Sequence, residues 1–258
     1  MSPDRYLSIQ LIGGPTLVIE YGGTRLVTDP TFDAPRSYHV GGRTLTKLTP
    51  PAVVLEDIGM VDAVLLSHHQ HPDNLDHLGS QWLKQQKNVW TTEAAHQAKF
   101  GALLPVWQTV ELPEPSRIRI TGLPARHGPV GCERLTGEVM GFLLEGEHLP
   151  AVYISGDNAS LEVVSAIAAR YPAIDVAILF CGAAQTALCD HQNLTLNSDQ
   201  AVEAAHLLGA PIVVPVHFEG WSHFTEGAAP LRRAFEHTHQ RLYLLECGEI
   251  FQMPAPHP

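Results

Sequence analysis

Residues 63–77 read AVLLSHHQHPDNLDH. Four aliphatic side chains run into His68, His69 and His71, then into Asp73, Asn74 and Asp76, the pattern of a strand that empties into a metal site. An imidazole suits a borderline divalent cation such as zinc, and carboxylates from the same loop can hold that ion or a second one beside it. His69 and His71 are two positions apart, so in an extended segment both leave on one face, and Asp73 continues that face. Asn74 offers only a neutral amide, a weaker ligand. A lone surface histidine is ordinarily just solvated, but three within four positions at a strand end are poorly explained that way.

The flanking sequence builds a frame for this loop. Residues 6–13, 16–21 and 24–29 are strand-like runs separated by Gly13, Gly14 and Pro15 and by Gly22 and Gly23, which predicts a meander. From 30 to 59 no period is sustained and prolines and glycines punctuate the chain, which predicts one long loop of the kind that forms lids. Leu75, Leu78, Trp82 and Leu83 have helical spacing, predicting a helix over 75–86 capped by Asp73 or Asn74. A strand at 88–91, a helix at 92–100 and strands at 106–112 and 116–123 follow. Then come an irregular loop at 124–137, strands at 138–145 and 151–155, and a helix at 159–170. The last third alternates: strand 175–180, loop 182–197, helix 198–208, strand 211–216, loop 217–227, helix 228–237, strand 241–246. Consecutive strands early and alternation later imply an α/β fold with sheets covered by helices in layers, a single domain over 1–258, rather than a doubly wound sheet.

Composition narrows the class. A chain of 258 residues buries roughly 70 to 75% of its unfolded surface. Hydrophobic content of 45% and charged content of 17% suit a soluble globular protein. No apolar run approaches the ~18 residues of a membrane span, and residues 1–10 lack the pattern of a secretory signal. A cytoplasmic protein with no membrane partner is expected. The net charge of −11 argues against nucleic acid as a partner. Cys132, Cys181, Cys189 and Cys247 form no CxxC, so they are expected to be reduced and mostly buried, not a disulfide framework, zinc knuckle or redox pair. Histidine is the outlier: 15, against 16 Lys and Arg together, more than solvated surface positions account for.

Four apolar runs end in the same manner: LLSHHQHPDN, RITGLPARH at His127, VYISGD at Asp157 and IVVPVH at His217. Ligands at strand ends can converge at one sheet edge. The ordered set resembles the metallo-β-lactamase-fold hydrolases, whose pattern is an early Asp after a strand, HxHxDH, a later His, an Asp in an SGD-type turn and a final His. Here these become Asp29 in VTDP, the 68–74 loop, His127, Asp157 and His217, over residues 6 to about 250. PARH, ISGD and VPVH, with the compact size, are most similar to the branch containing L-ascorbate-6-phosphate lactonase. The resemblance implies a four-layer αββα sandwich. It also implies a metal-dependent hydrolase that activates water against a small-molecule ester, lactone, amide or phosphoester, with Zn²⁺ as one or two ions and Mn²⁺ or Fe as alternatives.

The chain departs from the pattern in the decisive loop. Alignment from Asp73 pairs His69 with His71 and puts Asn74 where the family has a second-metal His; alignment from the strand end puts His68 first. The resemblance thus implies that His68 or His69, with His71 and His127, holds a first metal, that Asp73 and His217 serve a second, and that Asp157 bridges. Asn74 leaves the second position weak, empty or rebuilt from another group such as His223. With one ion, Asp73 is the group to orient the water and accept its proton. His223 is a candidate proton shuttle, and Trp221 and Phe224 are expected at the pocket. Asp29, with Asn74, stands behind the ligands and braces the loop. Two other outcomes follow from the same residues: a catalytically silent metal- or ligand-binding member, or an iron-dependent redox member. Substrate choice is assigned to loops 30–59, 128–138 and 182–197, with a small molecule as partner and a homo-oligomer compatible with it. Arg126 is read as a salt-bridge residue before an anion binder. His39, His77, His96, His148, His191, His206, His237, His239 and His257 are read as solvated or packed.

Overall fold

A computed structural model describes residues 5–112 and 117–254; His257 and Ser116, the first residue of an expected strand, lie outside them. Arg5–Gly13 (β1), Thr16–Tyr21 (β2) and Thr24–Thr28 (β3) form the antiparallel meander that the glycine pairs predict. The expected single loop over 30–59 is corrected: it contains the hairpin Arg36–Val40 (β4) and Arg43–Lys47 (β5) and a 3₁₀ turn at Leu55–Asp57. RSYHV and RTLTK are short and polar, so periodicity hid them. Their local signal was Gly41-Gly42, a two-residue link with φ of 58° and 76° that matches strand twist.

The chain continues through Ala63–Leu65 (β6), His77–Leu83 (α1), Val89–Thr91 (β7), Glu93–Gln97 (α2), Ala102–Leu103 (β8), Thr109–Glu111 (β9) and Arg119–Pro124 (β10). Glu133–Thr136 (α3), Met140–Glu145 (β11), Val152–Ile154 (β12), Leu161–Arg170 (α4), Val176–Phe180 (β13) and Ser198–Leu207 (α5) follow. Ile212–Val216 (β14), Ala228–Phe235 (α6), Arg241–Leu242 (β15) and Ile250–Pro254 (β16) end it. The first helix is shorter than expected, and its cap is Asp76, whose carboxylate accepts from the Gly79 amide at 2.9 Å. Asp73 is turned away from the helix toward the histidines.

Two seven-stranded sheets result, ordered β16-β1-β2-β3-β6-β7-β8 and β15-β14-β13-β12-β11-β10-β9. In VAILF of β13, Val176, Ile178 and Phe180 enter the core between the sheets, where they join Leu7, Ile9 and Leu26; Ala177 and Leu179 pack under α4, α5 and α6. A strand buried on both faces reads as a continuous apolar run for this reason. On the far side, Val18, Val27 and Val64 pack against Trp82 and Leu83 of α1 and Ala95 of α2. The layers are therefore helix, sheet, sheet, helix, the expected αββα sandwich. No helix among the described residues is long and apolar enough to cross a membrane.

The cysteine expectation is corrected. Cys132 and Cys189 are joined in a disulfide with 6.1 Å between Cα atoms, Cys247 is exposed, and only Cys181 is a buried free thiol. The paired cysteines are 57 positions apart, and sequence spacing does not reveal that their loops meet.

Candidate metal centre

β3, β6, β10, β12 and β14 all run toward one rim of the sandwich, and each ends just before a candidate residue: Asp29, the 68–74 loop, His127, Asp157 and His217. Two groups assemble there with ligand atoms within 4.8 Å of one another: His68, His71, His127 and Asp157, and Asp73, Asp157 and His217. In the first, His71 Nδ1 lies 3.1 Å from His68 Nε2 and 3.2 Å from His127 Nε2. Asp157 Oδ2 is 3.4 Å from His127 Nε2 and 3.8 Å from His68 Nε2. In the second, His217 Nε2 lies 3.4 Å from Asp157 Oδ1 and 3.3 Å from Asp73 Oδ2, and His223 Nε2 lies 3.0 Å from Asp73 Oδ2. Asp157 therefore gives one oxygen to each group.

His69 is not among them. Its ring is half-buried against Phe100, 5.3 Å between centroids. The extended-strand argument fails because the chain bends over 69–71 and turns through 72–74, with the Asn74 and Leu75 amides donating to the His71 carbonyl. Positions 68 and 71 converge in a turn where 69 and 71 would in a strand. Asn74 is fully buried, its amide faces the Asp29 and Asp157 carboxyls, and neither amide atom has a well-formed hydrogen bond. None of the other described histidines enters either group. Arg126 pairs with Glu162 at 3.3 Å. Phe224 wedges against the rings of His217 and His223, whereas Trp221 is buried under the hairpin against Tyr38.

The supports are backbone devices. The Leu194 carbonyl accepts from His127 Nδ1 at 2.8 Å, which puts the ring proton there and leaves the Nε2 lone pair facing the centre. The Asp29 carboxylate accepts from the Ser67 amide at 2.7 Å and ties β3 to the histidine loop. Asp29 and His217 hold φ of 33° and 55°, conformations that cost about 1–3 kcal/mol each and cluster at functional sites. Gly156 has φ of 57°, and a Cβ there would lie 2.3 Å from the Met140 carbonyl oxygen, so ISGD admits only glycine.

The donor set fits a cation. One ring nitrogen of His71 faces two others, and one proton can bridge only one such pair. Asp73 Oδ1, Asp157 Oδ1 and His217 Nε2 are buried without a well-formed hydrogen bond, costly unless something positive faces them. Burial, then His127, pushes His71 down to about 3; burial pushes His127 down to about 4. Burial and the neighbouring imidazoles hold His68 well below the usual range. These rings are neutral at pH 7, the form that binds metal. Burial opposes the charge on Asp73, but His223 and His217 outweigh it and hold the carboxyl well below its usual range; burial and then Asp73 push Asp157 well above.

An αββα sandwich with a histidine and aspartate cluster at its strand ends defines the metallo-β-lactamase class. Residues 24–218 match the beta-lactamase superfamily domain, and the chain belongs to that family. It is 28% identical over 229 residues to an uncharacterized protein of Mycobacterium tuberculosis, covering 82% of this chain and 58% of that one, so it spans a little over half the length of that relative. It is 27% identical over 205 residues to a metal-dependent hydrolase of Methanoregula boonei, covering 75% of this chain and 83% of the relative. An isothiocyanate hydrolase from Delia radicum gut bacteria shares the fold, with a TM-score of 0.81, 20% identity and coverage of 96% and 99%.

Proposed function

We propose that the protein is a metal-dependent hydrolase with a two-ion centre, acting on a small-molecule ester, lactone, amide or phosphoester. The observation that carries this is Asp157, which presents one oxygen to the group of His68, His71 and His127 and the other to that of Asp73 and His217. His223 completes the second group in the place that Asn74 cannot fill. A divalent ion in such a site polarises the scissile group and lowers the pKa of its water from 15.7 toward about 7. Asp73, kept ionised by His223 and His217, would hold the second ion with His217 and orient the attacking water beside it. Asp29 holds the loop in place through the Ser67 amide. The relative that hydrolyses isothiocyanates supports a compact, electrophilic carbon as the reacting atom. PARH, ISGD and VPVH support the lactonase-like choice within this range.

Elemental analysis of protein purified without added metal is the first test, and it also distinguishes zinc from iron or manganese. The expected result is about two equivalents, turnover on a panel of small esters and lactones, and, in His71→Ala and His217→Ala, loss of at least about one metal equivalent with a fall in turnover of about 10 to 100-fold or more. Full activity in metal-stripped protein would overturn the proposal, and a fully loaded protein silent on the whole panel would favour a binding role.

A further inference from the structure

The mouth of the metal centre carries a cation that pairs with no carboxylate among the described residues. Side chains alternate along β5, so Arg43, Leu45 and Lys47 share one face, and Leu45 and Lys47 are buried. Arg43 thereby lines a cavity of about 90 Å³ together with His71, Asp73, His127 and His223. The other two basic residues of the hairpin are engaged: Lys47 with Asp76 at 3.2 Å and Arg36 with Asp33 at 3.9 Å. Among the described residues the Arg43 guanidinium has neither an ion pair nor a hydrogen bond. The hairpin base is fixed by packing of Tyr38, Leu45 and Trp221, while its tip at Gly41 and Gly42 is open, with nothing within 4 Å of a Cβ built at either.

A guanidinium here does not help the centre itself. Its positive charge lines the same cavity as His71, Asp73, His127 and His223 and repels any divalent ion those residues hold. An anionic group arriving in the cavity is what it can serve, because a planar fork of N–H donors matches a carboxylate or phosphate in a two-point contact.

We propose that Arg43 binds an oxyanion on the substrate, a carboxylate or phosphate within a few bonds of the scissile group, and so restricts this site to small anionic substrates. The inference rests on the hydrolase reading for what is cleaved, but not for whether the anion binds. Arg43 is a specificity residue, and because it lines the same cavity as His71, Asp73, His127 and His223, the anion and the scissile group belong to one molecule.

Two measurements test it. Metal-free protein is titrated by calorimetry with inorganic phosphate and, separately, with acetate; the better ligand identifies the oxyanion. Arg43→Ala is expected to weaken that binding by about tenfold or more, and Arg43→Lys by less. Metal-loaded protein is then assayed on a matched pair, the phenyl ester of succinate with its free carboxylate and phenyl butyrate. Arg43→Ala is expected to raise KM for the charged ester by about tenfold with kcat nearly unchanged, and to leave the neutral ester unaffected. Unchanged anion binding in Arg43→Ala, or equal losses on both esters, would overturn the proposal. If the loaded enzyme cleaves neither ester, the hydrolase reading is judged on the wider panel, and the titration still decides whether Arg43 is an anion site.

Discussion

His68 and His69 are neighbours of identical chemistry, yet only His68 meets His71, because the bend over 69–71 brings positions three apart together. His223 shows the converse: it lies far along the chain from the histidine loop, and its Nε2 comes within 3.0 Å of Asp73. These two residues carry a sharp prediction. His223→Ala is expected to lose about one of two metal equivalents and His69→Ala none. Metal content of the purified variants, read beside circular dichroism to confirm folding, decides it; equal losses would undo the assignment of His223.

Among the elements, the β4–β5 hairpin and α1 are joined by a buried polar knot beneath the cavity. Asp76 caps α1 through one carboxylate oxygen; the other accepts from the Asp33 amide at 2.6 Å and from Lys47 Nζ at 3.2 Å, and Lys47 also donates to the Thr31 carbonyl at 2.9 Å. Asp76→Ala removes the cap and leaves the Lys47 ammonium buried without its counter-charge. The expected loss is about 3–5 kcal/mol by urea unfolding, and a loss under 1 kcal/mol would show the knot to be energetically idle. Asp33 accepts from the Leu78 amide at 3.0 Å and the Tyr38 hydroxyl at 2.8 Å. Burial opposes its charge, but these donors and His77 outweigh it, so its carboxyl lies below the usual range. A depressed carboxyl stabilises the fold above the unfolded value near 3.8, and that contribution is lost as pH falls through the folded one. Asp33→Asn is therefore expected to flatten the fall in Tm below about pH 4; an acid limb as steep as in the parent would contradict this.

At the scale of the molecule, the two sheets bring every candidate strand end to one rim, and the loops beyond them close the cavity. The Cys132–Cys189 disulfide clamps two of these loops, next to Leu194, whose carbonyl orients His127. Thiol titration of the protein denatured without reductant is expected to find two free thiols, Cys181 and Cys247. Four would show that the clamp is open in the isolated protein.

The sequence by itself determined the layered architecture and named most of the residues that gather at the rim. Strand periodicity, turn glycines and the order Asp29, His71, Asp73, His127, Asp157, His217 are local signals, and each candidate follows directly on an apolar run. Tertiary structure alone decided between His68 and His69, brought His223 to Asp73, paired Cys132 with Cys189 and set Arg43 over the cavity. Those outcomes depend on the path of turns and on loops that meet across many intervening residues. Hydrophobic periodicity carries no information about either, because it reports only which face of an element is buried.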